Sequence, residues 1–152
     1  MEGWQESLKK ARQQYDIADH MAYVSFVILK EKRLMIKIVN EMYNSVISLI
    51  KAMLVFEAEK RRIRLSSDSS VNFKTFRERV AGVYLNKTEL NNILNIMQLE
   101  KEHKQSEMEF VKQEKFVILN GEKYETLTID KLKEMLSTLK GSLNKISGIM
   151  SS

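Results

Sequence analysis

Leu34-Met35-Ile36-Lys37-Ile38-Val39-Asn40-Glu41-Met42-Tyr43-Asn44-Ser45-Val46-Ile47-Ser48-Leu49-Ile50-Lys51-Ala52-Met53-Leu54-Val55-Phe56 is the stretch whose reading decides the fold. Its apolar residues return every three or four positions, the spacing of a helix face. Leu34, Ile38, Met42, Leu49, Met53 and Phe56 share one face, and Met35, Val39, Tyr43, Val46, Ile50 and Leu54 share the next. Two apolar faces make a central helix that touches several others, predicted from about Leu34 to Arg62. Lys37, Asn40, Glu41, Asn44 and Lys51 interrupt the run. Such groups are costly at bilayer depth, so the expectation is a buried core helix with no membrane partner.

Upstream, Trp4, Leu8, Ala11, Tyr15, Ala18, Ala22, Phe26 and Leu29 draw one stripe on a first helix. From Tyr23 to Leu29 the chain is apolar all round, which predicts deep burial. Lys30-Glu31-Lys32-Arg33 is the expected turn. Downstream, Ser66-Ser67-Asp68-Ser69-Ser70 reads as a mobile polar loop. Asn72 is the expected cap of a third helix with Phe73, Phe76, Val80 and Val83 inward. Asn86 and Glu89 have capping-box spacing and open a fourth helix through Leu90, Ile93, Leu94 and Met97, ending near His103. The period then changes. Phe116-Val117-Ile118-Leu119 and Lys123-Tyr124-Glu125-Thr126-Leu127 flank Asn120-Gly121, the pair suited to a type I′ turn. This predicts a β-hairpin near residues 115–127 that must pack on the helices or on another chain. Thr128 can cap a last helix with Leu132, Leu136, Leu139, Leu143 and Ile146 inward.

The fold class is therefore mainly α: a single helical bundle of about five helices over residues 1–152, with a small hairpin before the last helix. Composition agrees. Among 152 residues, 43% are hydrophobic, none is Pro and five are Gly. Zero Cys removes disulfides, thiol nucleophiles and cysteine-held metals. The glycines, at 3, 82, 121, 141 and 148, are too scattered for a phosphate loop. Met1-Glu2-Gly3-Trp4-Gln5-Glu6 lacks the charged start and apolar run of a secretory signal, so the expected compartment is the cytoplasm.

The net charge is +5, and residues 31–65 hold eight positive against four negative side chains. Lys60, Arg61, Arg62 and Arg64 close the central helix, and Lys74, Arg77 and Arg79 follow the loop. As one surface they would match phosphate oxygens and supply sequence-blind, salt-dependent affinity for RNA or nucleotide. The competing reading is that cations complement a helix C-terminus and keep the chain soluble. No aromatic platform is evident beside them. Lys51, Glu57, Glu59 and Lys60 read as a solvated face.

Catalytic patterns are sparse. Glu100-Lys101-Glu102-His103 supplies one Glu-x-x-His, and a di-iron bundle needs two. Asp16 and His20 lie one turn apart with a different spacing, so no metal or other cofactor is expected. His20 reads as a half-buried packing residue. Ser106 and Glu109 fall at steps of three from His103 and would share its face if the helix continued, a geometry that rarely holds a triad. His103 is a weak candidate for a single acid–base group.

Two stretches carry a family resemblance. Asn40 to Leu54 resembles the core helix of HEPN domains, the higher-eukaryote and prokaryote nucleotide-binding bundles. His103-Lys104-Gln105-Ser106, Glu109-Phe110 and Lys115-Phe116-Val117-Ile118 are similar to a phrase of uncharacterised archaeal helical proteins that look HEPN-like. The resemblance implies a small helical bundle, frequently dimeric, often a metal-independent ribonuclease using Arg, four to six residues, then His. That chemistry needs His to deprotonate a ribose hydroxyl and Arg to stabilise the phosphorane. Here Arg12 precedes His20 with seven residues between, about 12 Å along a helix. No Arg lies in the ten residues before His103. The ribonuclease motif is absent. The expectation is a non-catalytic binding bundle for RNA or nucleotide that forms homodimers. A protein partner such as a nucleotidyltransferase is a further implication. The alternatives are an unconventional ribonuclease built on His103 and a structural interaction module.

Overall fold

Each break in apolar periodicity becomes a corner of the chain. A computed structural model describes residues 3–152. Helix α1 starts at Trp4–His20, continues through a π-turn at Met21–Ser25 and ends with Phe26–Leu29. Lys30, in the left-handed region at φ 52°, terminates it inside the expected turn. Helix α2 is Leu34–Glu59. Helix α3 comprises Ser69–Thr75, a second π-turn at Phe76–Val80, and Ala81–Tyr84. Helix α4 is Lys87–Lys104 and helix α5 is Ile129–Ser151. Between them lie strands β1 (Met108–Lys112), β2 (Lys115–Asn120) and β3 (Lys123–Leu127), paired antiparallel in the order β1-β2-β3.

Helix α2 is central, as its two apolar faces require. Met35, Ile38, Met42, Val46, Leu49 and Met53 are fully buried. Among the described residues it is the one helix long and apolar enough to cross a membrane, and 61% of its most apolar window is buried inside the bundle. Small side chains let α1 approach it closely: Ala11, Ala18 and Ala22 are fully buried, and the Ser45 hydroxyl donates to the Ala11 carbonyl at 2.7 Å. Trp4 closes the far end edge-on against Phe56, ring centroids 5.4 Å apart. All five predicted inward residues of α5 are buried, and Thr128 caps it by accepting from the Lys131 amide. The Asn86–Glu89 capping box is present.

Several expectations are corrected. Tyr23 to Leu29 are not deeply buried: Val27, Ile28 and Leu29 are 55%, 71% and 64% exposed. Val83 is likewise 65% exposed, and Tyr84 takes its inward place. One cause explains both. A π-turn holds one residue more than an α-turn, so the buried stripe advances in steps of four. It runs Ala18, Ala22, Phe26 in α1 and Phe76, Val80, Tyr84 in α3, which swings Leu29 and Val83 outward. Asp68, not Asn72, caps α3 by accepting from the Ser70 amide at 2.9 Å. Asn72 instead accepts from the Ser66 amide and donates to the Ser66 carbonyl.

The hairpin is a three-stranded meander, with β1 the missed strand. Asn120 pairs with Lys123, so Gly121-Glu122 form the turn and Gly121 alone of the two has positive φ. A positive first position with glycine is the type II′ pattern, not type I′. The sheet packs on the bundle through Phe116, Ile118 and Leu127. The Asn120 amide binds the Glu102 carbonyl, and Lys32 pairs with Glu114 at 3.0 Å.

Candidate functional site

The predicted basic residues do not form one patch. At the end of α2, Arg61 adopts φ 59° while the Arg61 amide donates to the Ala58 carbonyl and the Arg62 amide to the Glu57 carbonyl. This is the Schellman closure, with arginine in the position glycine usually takes. Arg62 turns back to Glu57, Nε to Oε2 at 2.8 Å. Glu57 is only 3% exposed, which corrects its reading as part of a solvated face. Its hydrogen bond and charge raise the Arg62 pKa. The Arg79 guanidinium donates to the Arg62 carbonyl at 3.1 Å, and Lys74 faces Glu78 at 3.9 Å. Lys60 lies over the Phe56 ring. Arg61 and Arg64 are exposed.

Arg77 points elsewhere, because two residues along a helix turn the side chain to the opposite side. It joins Lys101 and Lys104 around a cleft of about 570 Å³ between α2, α3 and α4, walled by Tyr43, Phe73, Leu94 and Met97. The side chains of Arg77 and Lys101 make no ion pair or hydrogen bond with other described residues, and Lys104 sits over the Tyr43 ring at 5.9 Å. These two rings are the aromatic wall that the sequence did not reveal. Lys101 and Lys104 are separated in the chain from Arg77 by more than twenty residues, so only the fold unites them.

A second cleft of about 310 Å³ abuts the first and shares Lys104 and Glu100. Lys37, Asn40, Glu41 and His103 also line it. Thus Asn40 and Glu41 of α2 lie in one cleft with His103 and Lys104 of α4. The Glu100 carboxylate, 2% exposed, accepts from the Asn40 amide at 3.3 Å. The His103 ring Nδ1 meets Glu109 at 2.5 Å, because the chain leaves α4 after Lys104 and returns along β1. Ser106 donates to the His103 carbonyl, not to its ring, so no nucleophilic triad forms. His20 is exposed, against its half-buried reading. Among the described residues no three His, Asp or Glu side chains are grouped to hold a metal ion.

A third groove of about 660 Å³ continues from the cationic cleft past Ile47, Leu54 and Leu65. A fourth, about 500 Å³, lies between α4 and α5 and is lined largely by neutral amides such as Asn91, Asn95 and Gln98.

Fold and clefts together define a five-helix bundle with a three-stranded meander inserted before its last helix. No family model, curated protein or solved structure matches the chain.

Proposed function

We propose that the protein is a HEPN-like, non-catalytic helical bundle that binds RNA or nucleotide phosphate in the cytoplasm. The observation that carries the reading is the cleft on which Arg77, Lys101 and Lys104 converge beside Tyr43 and Phe73. Cations without acidic partners attract phosphate, and ring faces accept unstacked bases whatever their sequence. Fluorescence anisotropy with labelled single-stranded RNA across a salt series tests this. Three phosphate contacts give a slope of log affinity against log salt of about −2. Arg77→Glu with Lys101→Glu weakens binding to all sequences and flattens that slope. Absence of binding at low salt, or indifference to both substitutions, refutes the proposal.

One observation favours a second reading. His103 contacts Glu109, and Lys37 and Lys104 line the same cleft. A carboxylate orients the imidazole as a base for a ribose hydroxyl, and a lysine in the same cleft stabilises the phosphorane. This reading requires that purified protein cleave labelled RNA and that His103→Ala abolish cleavage without loss of helical signal.

A further inference from the structure

The cationic cleft and the apolar groove beside it are one continuous depression. Tyr43, Phe73 and Met97 line both, so the wall behind Arg77, Lys101 and Lys104 runs on into the groove. Helix α2 builds the groove at steps of three and four, through Ile47, Ile50 and Leu54, with Leu65 of the following loop beside them. Ile47 is 39% exposed and Leu65 is half-buried, so both side chains can meet an occupant. At about 660 Å³ the groove falls within the ~300–1,000 Å³ of small-molecule sites.

The two ends of the depression differ in chemistry. One holds three cations against a single carboxylate, Glu100, which is buried and already accepts from the Asn40 amide. The other is mainly apolar. Lys51 and Ser69 stand on its rim, and the remaining rim groups are committed within the chain. Ser70 donates to Asp68 at 2.7 Å, the Ser66 hydroxyl accepts from the Asp68 amide, and Asn72 spans the Ser66 amide and carbonyl. A base edge or a peptide backbone laid there would give up hydrogen bonds to water with few replacements, which is costly. An alkyl chain needs no such partner and gains by leaving water. Phosphate alone would leave the groove unfilled, and an uncharged chain would leave the cations unmatched.

We propose that the joined cleft and groove bind a single-chain lipid with a phosphate head, the head on Arg77, Lys101 and Lys104 and the alkyl chain along Ile47, Leu54 and Leu65. This rests on the reading of those cations as a phosphate site, and it adds regulation to that site. Lipid and RNA compete for the same three cations, so the lipid releases RNA.

Isothermal titration calorimetry of the full chain with inorganic phosphate and with butyl, octyl and dodecyl phosphate, below their micelle-forming concentrations, tests the proposal. Affinity rises with chain length, by about twofold to fourfold for each methylene seated in the groove. Dodecyltrimethylammonium, with the same chain and a cationic head, binds at least about tenfold more weakly than dodecyl phosphate. Ile47→Gln with Leu65→Gln flattens the chain-length dependence and leaves the affinities for inorganic phosphate and RNA unchanged. Arg77→Glu with Lys101→Glu weakens RNA and dodecyl phosphate alike, and dodecyl phosphate displaces labelled RNA from the unaltered protein. Dodecyl phosphate that binds no more tightly than inorganic phosphate, or no more tightly than dodecyltrimethylammonium, overturns the proposal. So does an equal loss of RNA and dodecyl phosphate in the paired glutamine variant, which assigns the groove to RNA. The chain-length series is read on the unaltered protein, so it decides even where that variant fails to fold. RNA binding without chain-length dependence refutes the lipid and leaves the RNA reading standing, and chain-length dependence without RNA binding does the reverse.

Discussion

Replacing Arg61 by glycine raises stability, although it removes a charged side chain from a helix end. The backbone is the reason. Arg61 sits at φ 59°, held there by the amide bonds of residues 61 and 62 to the Ala58 and Glu57 carbonyls, both 3.0 Å. A residue with a Cβ pays about 1–2 kcal/mol in the left-handed region. Glycine removes that strain but loses roughly 0.5–1 kcal/mol more chain entropy on folding. The net gain is about 0.5–1 kcal/mol. At about 2–4 °C per kcal/mol for a chain of this size, the melting midpoint rises by roughly 1–4 °C. Far-UV circular dichroism melts and urea titrations measure it, the urea slope staying constant. Arg61→Ala is the control, because it deletes the same side chain and keeps the strain. It shifts stability by less than about 0.5 kcal/mol. A midpoint that falls in Arg61→Gly, or that rises equally in Arg61→Ala, refutes the reasoning.

Alkaline titration is a second test. Burial first, then the charges of Asp19 and Glu57, pushes the hydroxyls of Tyr15 and Tyr84 up to about 12. The folded state thus holds these protons more tightly than the unfolded chain, whose tyrosines titrate near 10. Their contribution is complete below pH ~10 and is lost as pH rises through about 12, so urea midpoints fall across that window. On the acid side, burial opposes ionisation of Glu89, but Lys145 and the Asn86 amide prevail and lower its pKa. Its contribution is present above the ordinary glutamate pKa and lost as pH falls through the lowered value, and Glu89→Gln flattens that limb of the stability profile. Asn86→Ala removes the capping box and costs about 1 kcal/mol in denaturant unfolding. Ala18→Leu forces extra volume into the fully buried α1–α2 contact and destabilises by about 1–3 kcal/mol.

The helices were legible wherever one period dominates. Helix α5 buries the residues its spacing assigns, and so does α2 except for the half-buried Leu34 and Tyr43, because a long apolar stripe outweighs local detail. The caps at Asn86 and Thr128 were legible too, since each needs only one side chain and an amide two or three residues on. The errors came from places where one residue changes the phase. Each π-turn rotates everything beyond it, and no residue type announces it; only the steps of four through Ala22 and Val80 carry its trace. Strand β1 was hidden because Val111 and Lys112 break its alternation, and β2 supplies the pairing that stabilises it. The cationic cleft was legible as charge but not as geometry. Arg77 was grouped with its neighbours in the chain, whereas the fold pairs it with Lys101 and Lys104. The meeting of His103 and Glu109 depended on a strand the sequence did not announce.

The meander between α4 and α5 also bears on how the chain reaches this shape. Each of its strands pairs only with its neighbour in sequence, and α1 and α2 are joined by the short turn at residues 30–33. Both units close small loops and assemble on the fast timescale of local contacts. Helix α5 is different: it must pack on α1, more than a hundred positions away. That long closure follows assembly of the local units. Substitutions inside the α1–α2 pair alter the folding limb of a chevron only as far as the pair is formed early, whereas those where α5 meets α1 act chiefly on the rate of unfolding.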